Sequence, residues 1–133
     1  MAQIVGEQFG GDMENITVTA GDTGKISLGI GTSNSRLAAV AGTSAHVAAQ
    51  KVRAKALQVA AHLLEASEED LEIHNGEIHV RGVPEMKVSL GQVAHSVGGT
   101  PGYALPGEIE PGMEATENVV MDNLVFALSL IHI

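Results

Sequence analysis

Hydrophobic residues at three- and four-residue steps predict two helices. From about Gly42 to Ala66 the chain is rich in Ala, has no Pro or further Gly, and repeats its apolar residues with helical spacing. This segment predicts one long Ala-rich helix of roughly 36 Å. Because its contact face is mostly small, we expect a neighbouring element to lie close against it. The opening AQIVGEQFGG has the same spacing and ends in a Gly pair, which predicts a shorter helix with a C-terminal stop.

Alternating apolar and polar positions predict short strands. Residues 16–20, ITVTA, are rich in β-branched side chains and predict a strand, and residues 26–30 alternate again after a GDTG turn. A connector rich in Gly and Pro, GGTPGYALPGEIEPG, precedes residues 115–120, which return to strand character. Two short helical turns are also predicted, one capped by Ser67 and one by Ser89.

Residues 71–80 predict a β-hairpin. Asn75 and Gly76 supply the two positive-φ positions of a type I′ turn, and that turn fixes which residues face each other. One face of the hairpin is apolar and the other mixes His with Glu. The facing pairs are Leu71 with Val80, Ile73 with Ile78, Glu72 with His79, and His74 with Glu77. Helices beside a hairpin and short strands predict an α+β fold.

Composition and charge narrow the classes of function. The 133 residues carry a formal net charge of −9, which argues against nucleic acid, where affinity comes largely from Lys and Arg, and against an anionic membrane surface. The absence of Cys excludes disulfides and Cys-ligated metal or iron–sulfur sites within this chain. No apolar run approaches the roughly 20 residues of a membrane span, and no basic-then-apolar start indicates a signal peptide. We therefore expect a soluble, cytoplasmic protein.

The stretch GIGTSNSR, from Gly29 to Arg36, leads into the long helix and is the candidate ligand site. Its Gly residues permit close backbone approach, and Arg36 can bind a phosphate through two parallel hydrogen bonds. A helix start adds free N–H groups and partial positive charge, which favour anions. Further donors to phosphate oxygens are the side chains of Thr32, Ser33, Asn34 and Ser35. The alternative is a Gly turn whose Ser and Arg side chains face water, and spacing alone favours this commoner arrangement.

The His and Glu side chains on the polar face of the hairpin are a second candidate site. Their mixture could bind zinc, but such a face is more often solvated, with cross-strand Glu–His pairs worth a few tenths of a kcal/mol. The spacing of the remaining residues predicts no nucleophile beside a base and no acid–base pair. Catalysis therefore cannot be assigned from spacing, and no residue of this chain is predicted to be catalytic.

Several ordered motifs resemble the large subunits of the xanthine dehydrogenase family, most closely the bacterial branch with aerobic carbon monoxide dehydrogenase large chains. They are ITVTAGDT, GIGTSNSR, AAVAG and the helix KVRAKALQVAAHLLEASEEDLEI. A hairpin with a central Gly, VPEMKVSLGQVAHSV as a short following helix, and PGEIEPGMEATENV agree in order. The resemblance runs from about Ala2 to Phe126.

The resemblance implies a molybdenum-dependent oxidoreductase. Family members hold molybdenum on a pterin dithiolene, usually as the cytosine dinucleotide in bacteria, and transfer oxygen from water to a carbon centre or oxidise CO. Electrons leave through 2Fe-2S clusters and FAD on partner subunits or domains. The family motif GxGTxxSR lines the cofactor, which implies binding by Gly31, Thr32, Ser33, Asn34, Ser35 and Arg36 here. The small residues after it pass close to the metal, which implies that Ala39 leaves room there.

The resemblance also implies that the chain is an internal piece of the large subunit. The family's upstream Gln-Gly and Arg-containing loops and its catalytic Glu have no counterpart, so we expect the piece alone to be inactive. We predict a partial molybdopterin-binding domain at 1–127 and a non-native tail at 128–133, because LSLIHI matches a translated sequencing adapter. The substrate stays open among CO, aldehydes, purines and N-heterocycles. The rival hypothesis is a free-standing acidic module that binds a nucleotide or another anion without catalysis.

Overall fold

The computed structural model describes residues 1–25, 31, 36–98 and 109–117. Three helices flank a three-stranded antiparallel sheet of order β1-β2-β3, so the α+β prediction is confirmed. In chain order the elements are α1 (Ala2–Phe9), α2 (Leu37–Leu64), β1 (Leu71–His74), β2 (Glu77–Val80), β3 (Val83–Ser89) and α3 (Leu90–Ser96). Two single 3-10 turns are Met13–Asn15, after α1, and Glu68–Asp70, before the sheet.

The long helix α2 has 28 residues and measures about 42 Å. It begins at Leu37 rather than near Gly42, because the helix continues through that glycine. A Cβ built on Gly42 would lie 3.2 Å from Cδ1 of Ile4, so the glycine lets α1 approach closely. The helix ends at Leu64, two residues before the predicted Ala66. Its C-cap residue Glu65 is left-handed, with φ 51° and ψ 41°.

The hairpin prediction is confirmed in every facing pair. The turn residues Asn75 and Gly76 have φ values of 50° and 74°, as a type I′ turn requires. The pairs observed between β1 and β2 are Leu71 with Val80, Glu72 with His79, Ile73 with Ile78, and His74 with Glu77. Within this hairpin, Leu71 and Ile78 are buried on the apolar face.

Strand β3 corrects the prediction that VPEMKVSLGQVAHSV forms a short helix. Its first half is a strand antiparallel to β2, and only Leu90–Ser96 is helical. Val80 pairs with Val83 while His79 pairs with Lys87, so residues 84–86 bulge out of the ladder. A bulge tolerates Pro because the missing N–H is not needed there. The predicted cap at Ser89 is confirmed, since its hydroxyl accepts from the N–H of Gln92 in a capping box.

Other local predictions had mixed outcomes. The GDTG turn is confirmed, with Asp22 Oδ1 accepting from the Gly24 N–H at 2.9 Å. Residues 16–20 are not a strand, because β-branched composition does not supply a pairing partner and none of the described strands pairs with them. Ser67 precedes the predicted helical turn without a side-chain capping bond. Residues 115–117 form no strand. The remaining predictions concern residues 26–30, 99–108, 118–120 and 128–133, which lie outside the described residues.

The core lies between the C-terminal half of α2, the sheet and α3. Ala56, Val59 and Ala60 of α2 are buried, which confirms the small contact face predicted for this helix. They pack with buried apolar residues from the other elements. These are Leu71, Ile78, Val88, Val93, Val97 and Ile109. Among the described residues, no helix is long and apolar enough to cross a membrane.

Candidate functional site

The start of α2 follows directly after the Gly- and Ser-rich loop singled out from the sequence. Arg36 is the N-cap residue of α2 and is half-buried, and Ala39 lies in the first turn, also half-buried. Gly31 is exposed with φ 74°, a left-handed conformation that favours glycine, and a Cβ there would meet nothing within 4 Å. The other four predicted site residues, Thr32, Ser33, Asn34 and Ser35, lie outside the described residues.

The N-terminal end of α2 suits an anion. Among the described residues, the first hydrogen bond of the helix runs from Val40 N to Arg36 O at 2.8 Å, and the three main-chain N–H groups before it have no acceptor within α2 itself. Arg36 cannot cap them, because a guanidinium has donors and no acceptor. The first turn carries no acidic side chain. The helix dipole therefore adds to the Arg36 charge, and both favour a negatively charged group at this end.

Few described residues could compensate that positive charge. Residues 37–50 contain no Asp, Glu, Lys or Arg. In the part of the chain that the structure describes, no carboxylate lies within 4.0 Å of the Arg36 guanidinium. Small side chains dominate this half of the helix.

Helix α1 holds the N-terminal half of α2 in place. Ile4 lies over Gly42, and Gln8 Nε2 lies 3.4 Å from His46 Nδ1. Arg53 Nε donates to the main-chain oxygen of Gln8 at 3.0 Å. The three α2 positions are four and seven residues apart, which places them on one face of the helix. The packing of α1 on this face was not predicted; the lone Gly within an Ala-rich helix was the available signal for it.

The hairpin turn closes the C-terminal end of α1. The N–H of Asn75 donates to the oxygen of Gly10 at 2.9 Å, and the N–H of Gly76 donates to the oxygen of Phe9 at 3.3 Å. Gly10 has φ 57°, and a Cβ there would lie 3.3 Å from the main chain of His74 and Asn75. The hairpin turn and α2 are thus both hydrogen-bonded to the C-terminal end of α1.

The polar face of the hairpin carries ion pairs. Arg81 Nε lies 2.7 Å from Glu72 Oε1, and His79 Nε2 lies 3.7 Å from Glu72 Oε2. The hydrogen bond from Arg81 lowers the pKa of Glu72, and the charges of Arg81 and His79 act in the same direction. Lys87 Nζ lies 2.9 Å from Glu77 Oε2. No group of three metal-ligating side chains occurs among the described residues, so nothing in them supports the zinc alternative.

Two clefts in the described part of the chain lie away from the predicted site residues. One, of about 510 Å³, separates α2 from residues 109–117 and is lined by Lys51, Lys55, Glu68 and Glu110, among others. Lys51 also forms an ion pair with Glu117. The other, of about 470 Å³, lies between α1 and the segment that follows it. Neither is lined by a residue of the Gly31–Arg36 loop or by Ala39.

A comparison with known families shows to which family the chain belongs. A model of the molybdopterin cofactor-binding domain matches residues 1–123. The chain belongs to this family. The helices and the sheet described above are therefore parts of a molybdopterin cofactor-binding domain. The predicted membership is confirmed by the match.

Relatives of known function agree with the family. The carbon monoxide dehydrogenase large chain of Afipia carboxidovorans is 34% identical over 125 residues, which are 94% of this chain and 15% of the relative. The nicotine 6-hydroxylase large subunit of Paenarthrobacter nicotinovorans is 38% identical over 117 residues, which are 88% of this chain and 14% of the relative. The chain thus spans about one-seventh of these curated relatives.

Solved structures show the same fold. Reconstituted CO dehydrogenase from Oligotropha carboxidovorans matches 92% of this chain with a TM-score of 0.75 and 35% identity, over 15% of that chain. Quinoline 2-oxidoreductase from Pseudomonas putida matches 93% of this chain with a TM-score of 0.75 and 33% identity, over 16% of that chain. The α+β arrangement described above is therefore the arrangement of a segment in these enzymes.

Proposed function

We propose that this molybdopterin cofactor-binding domain is part of the large subunit of a molybdenum hydroxylase and forms one wall of its dinucleotide pocket. The observation that carries the proposal is the position of the α2 N-terminus. It lies directly after the GIGTSNSR loop, with no acidic side chain in its first turn and with Arg36 at its N-cap. Family membership supplies the ligand that such an anion-binding end would take.

Each residue of the loop has a proposed role in binding. Gly31, in its left-handed conformation, lets the main chain pass close to the cofactor. The side chains that follow it donate hydrogen bonds to phosphate oxygens. These are Thr32, Ser33, Asn34 and Ser35. Arg36 binds a phosphate through two N–H groups, and Ala39 leaves space beside the pterin end of the ligand.

When bound, the cofactor supplies the molybdenum chemistry, which transfers oxygen from water to a substrate or oxidises that substrate. This chain binds and orients the group, and supplies no acid or base to the reaction. We propose that the cofactor is the cytosine dinucleotide form. The intact enzyme would pass its electrons to 2Fe-2S clusters and FAD on partner subunits or domains, and it would act on a small-molecule substrate in the cytoplasm.

The test uses the full-length large subunit, expressed from its source locus together with its neighbouring genes. Molybdenum is measured by elemental analysis, and nucleotide released by acid is identified by chromatography. We expect about one cytosine nucleotide for each molybdenum. Arg36→Ala is expected to lower both contents together, because it removes a charge-assisted phosphate contact worth about 1.5–3 kcal/mol.

Arg81→Ala is the matched control, because it also removes one Arg but lies on the exposed hairpin. It should keep both the molybdenum and the nucleotide. Normal cofactor content in Arg36→Ala would contradict the pocket-wall proposal. A wild-type protein without molybdenum, and a natural gene that ends near Ile133, would favour the free-standing anion-binding module instead.

A further inference from the structure

Residues 16–20, ITVTA, have the composition of a strand but no strand partner among the described residues. Ile16 is extended, with φ −111° and ψ 114°, and residues 16–20 contain no helix, turn or bend. In the described part of the chain, the main-chain N–H and C=O groups of residues 17–20 make no hydrogen bond. These four residues are all exposed, Val18 by 51%. A short stretch of apolar and β-branched side chains thus lies open to solvent.

Ile16 anchors this segment on α1. Its Cδ1 lies 3.4 Å from the position that a Cβ on the buried Gly6 would take, so the glycine provides room for it. Successive side chains of an extended backbone point to opposite sides, so Val18 and Ala20 share the side of Ile16 while the two Thr side chains face the other. The segment therefore has one apolar side, which packs on α1 at Ile16 and is exposed at Val18.

Strand β3 of the same molecule carries the features that keep an edge strand from pairing further. It is an edge of the described sheet, and it contains Pro84, Lys87 and a bulge at residues 84–86. Proline, lysine and bulges protect the edge strands of natural proteins in this way. Residues 16–20 contain no Pro, no Gly and no charged side chain. The segment is therefore suited to pairing and carries no protection against it.

The length of the relatives identifies the partner of this segment. The chain spans only 15% of the carbon monoxide dehydrogenase large chain that it matches, so a large subunit of this length has many strands to offer outside these 133 residues. A strand from the same polypeptide pairs without the loss of translational and rotational freedom that a second copy or another subunit would suffer. The uncharged segment also offers no electrostatic attraction to a separate partner.

We propose that residues 16–20 are an interaction surface at which a strand of the same large subunit, from outside this chain, pairs with them. The segment stands directly before the GDTG turn in the sequence, so the pairing would hold the start of the connection that leads to the GIGTSNSR loop. The inference rests on the part of the proposed function that makes the chain a part of a large subunit. It does not depend on the cofactor.

The first test is amide hydrogen exchange on the wild-type full-length subunit, expressed with its partners. Residues 17–20 should exchange about a hundredfold more slowly than unprotected amides, as a paired strand does. The hairpin at residues 71–80 is the protected reference within the same molecule, because β1 and β2 already pair there. Exchange of residues 17–20 at close to the unprotected rate would overturn the inference, since it would leave their N–H groups without acceptors.

The second test identifies the partner strand. A photo-reactive diazirine amino acid replaces Thr19, because facing residues of paired strands lie within about 5.5 Å of each other. The same amino acid in place of Glu69, an exposed residue of the second 3-10 turn, controls for random labelling. After irradiation, the Thr19 position should be joined to a peptide of the same subunit from outside these 133 residues. A cross-link to residues 26–30, to a second copy or to another subunit would overturn the inference, as would equal labelling from both positions.

These measurements fail independently of the pocket-wall proposal. If residues 17–20 are protected while Arg36→Ala keeps its molybdenum and nucleotide, the pocket-wall proposal fails and the strand pairing stands. If residues 17–20 exchange rapidly while Arg36→Ala loses both, only the inference about strand pairing fails.

Discussion

Arg53 Nε donates a hydrogen bond to the main-chain oxygen of Gln8 at 3.0 Å, across a sequence separation of 45 residues. The oxygen belongs to the last turn of α1, where helix carbonyls lack intrahelical partners. A guanidinium is well suited to this position because it offers both a donor and a positive charge to the negative end of the helix dipole. This side chain links the end of α1 to the middle of α2.

The first prediction concerns that bond. Arg53→Met keeps much of the aliphatic stem but removes the donor. We therefore expect the free energy of local opening of α1 to fall by about 1–2 kcal/mol, as for a part-buried hydrogen bond to a charged group. Hydrogen exchange measured on peptides from residues 1–12 should show faster exchange, while β1 and β2 stay protected. Arg81→Met is the control. Equal protection of residues 1–12 in wild type and Arg53→Met would show that the bond does not hold α1.

The second prediction concerns Gly42, where α1 and α2 are closest. Gly42→Leu places a large side chain where even a Cβ would lie 3.2 Å from Ile4 Cδ1, so we expect a loss of about 1–3 kcal/mol in the free energy of unfolding. Ala54→Leu is the matched control, because that position on the same helix is exposed. Urea unfolding measures both. A Gly42→Leu variant as stable as Ala54→Leu would contradict the close packing of the two helices.

Local chemistry explains why the hairpin was predictable and strand β3 was not. Asn75 and Gly76 encode a type I′ turn by their own backbone preferences, and the turn then fixes the register of its neighbours. In contrast, β3 contains Pro84 and pairs with β2 around a bulge, so its alternation is broken where a strand would be recognised. Residues 16–20 show the opposite failure, because β-branched side chains favour extended backbone but cannot provide a neighbouring strand.

The position of the candidate site was predictable from the sequence, but the contacts that hold it in place were not. The Gly, Ser and Arg pattern located the loop, and the helix was expected to follow it. The contacts that hold the helix end depend on residues distant in sequence, such as Ile4 over Gly42 and Gln8 beside His46. No spacing rule connects positions that far apart. The start of α2 was placed too late for the same reason, since the low helix propensity of Gly42 is offset by tertiary packing.

The third prediction compares two left-handed glycines at the junction of α1 and the hairpin. Gly10 and Gly76 have φ values of 57° and 74°, so Ala at either position is strained and should cost about 1 kcal/mol. At Gly10 the added Cβ would also lie 3.3 Å from the main chain of Asn75, whereas at Gly76 it would meet nothing within 4 Å. Gly10→Ala should therefore lower the urea midpoint more than Gly76→Ala. The reverse order would contradict the docking of α1 on the turn.

The last prediction is a pH dependence that arises from Glu72. Its pKa is lowered in the folded protein, first by the hydrogen bond from Arg81 and then by the charges of Arg81 and His79. A carboxyl whose folded pKa is depressed contributes stability above its unfolded pKa, near 4.5, and loses it as the pH falls through the lower folded value. The contribution should be small, because Glu72 and Arg81 are both exposed.

Urea midpoints of wild type and Arg81→Met, measured from pH 7 down to pH 3, test this dependence. Wild type should be the more stable protein at pH 7, and the difference should shrink below pH 4.5 because protonated Glu72 no longer attracts the guanidinium. Lys25→Met, which also removes one exposed positive charge, is the control and should show no such step. A difference between wild type and Arg81→Met that stays constant over this range would mean that Arg81 stabilises the hairpin by packing its side chain rather than by binding the Glu72 carboxylate.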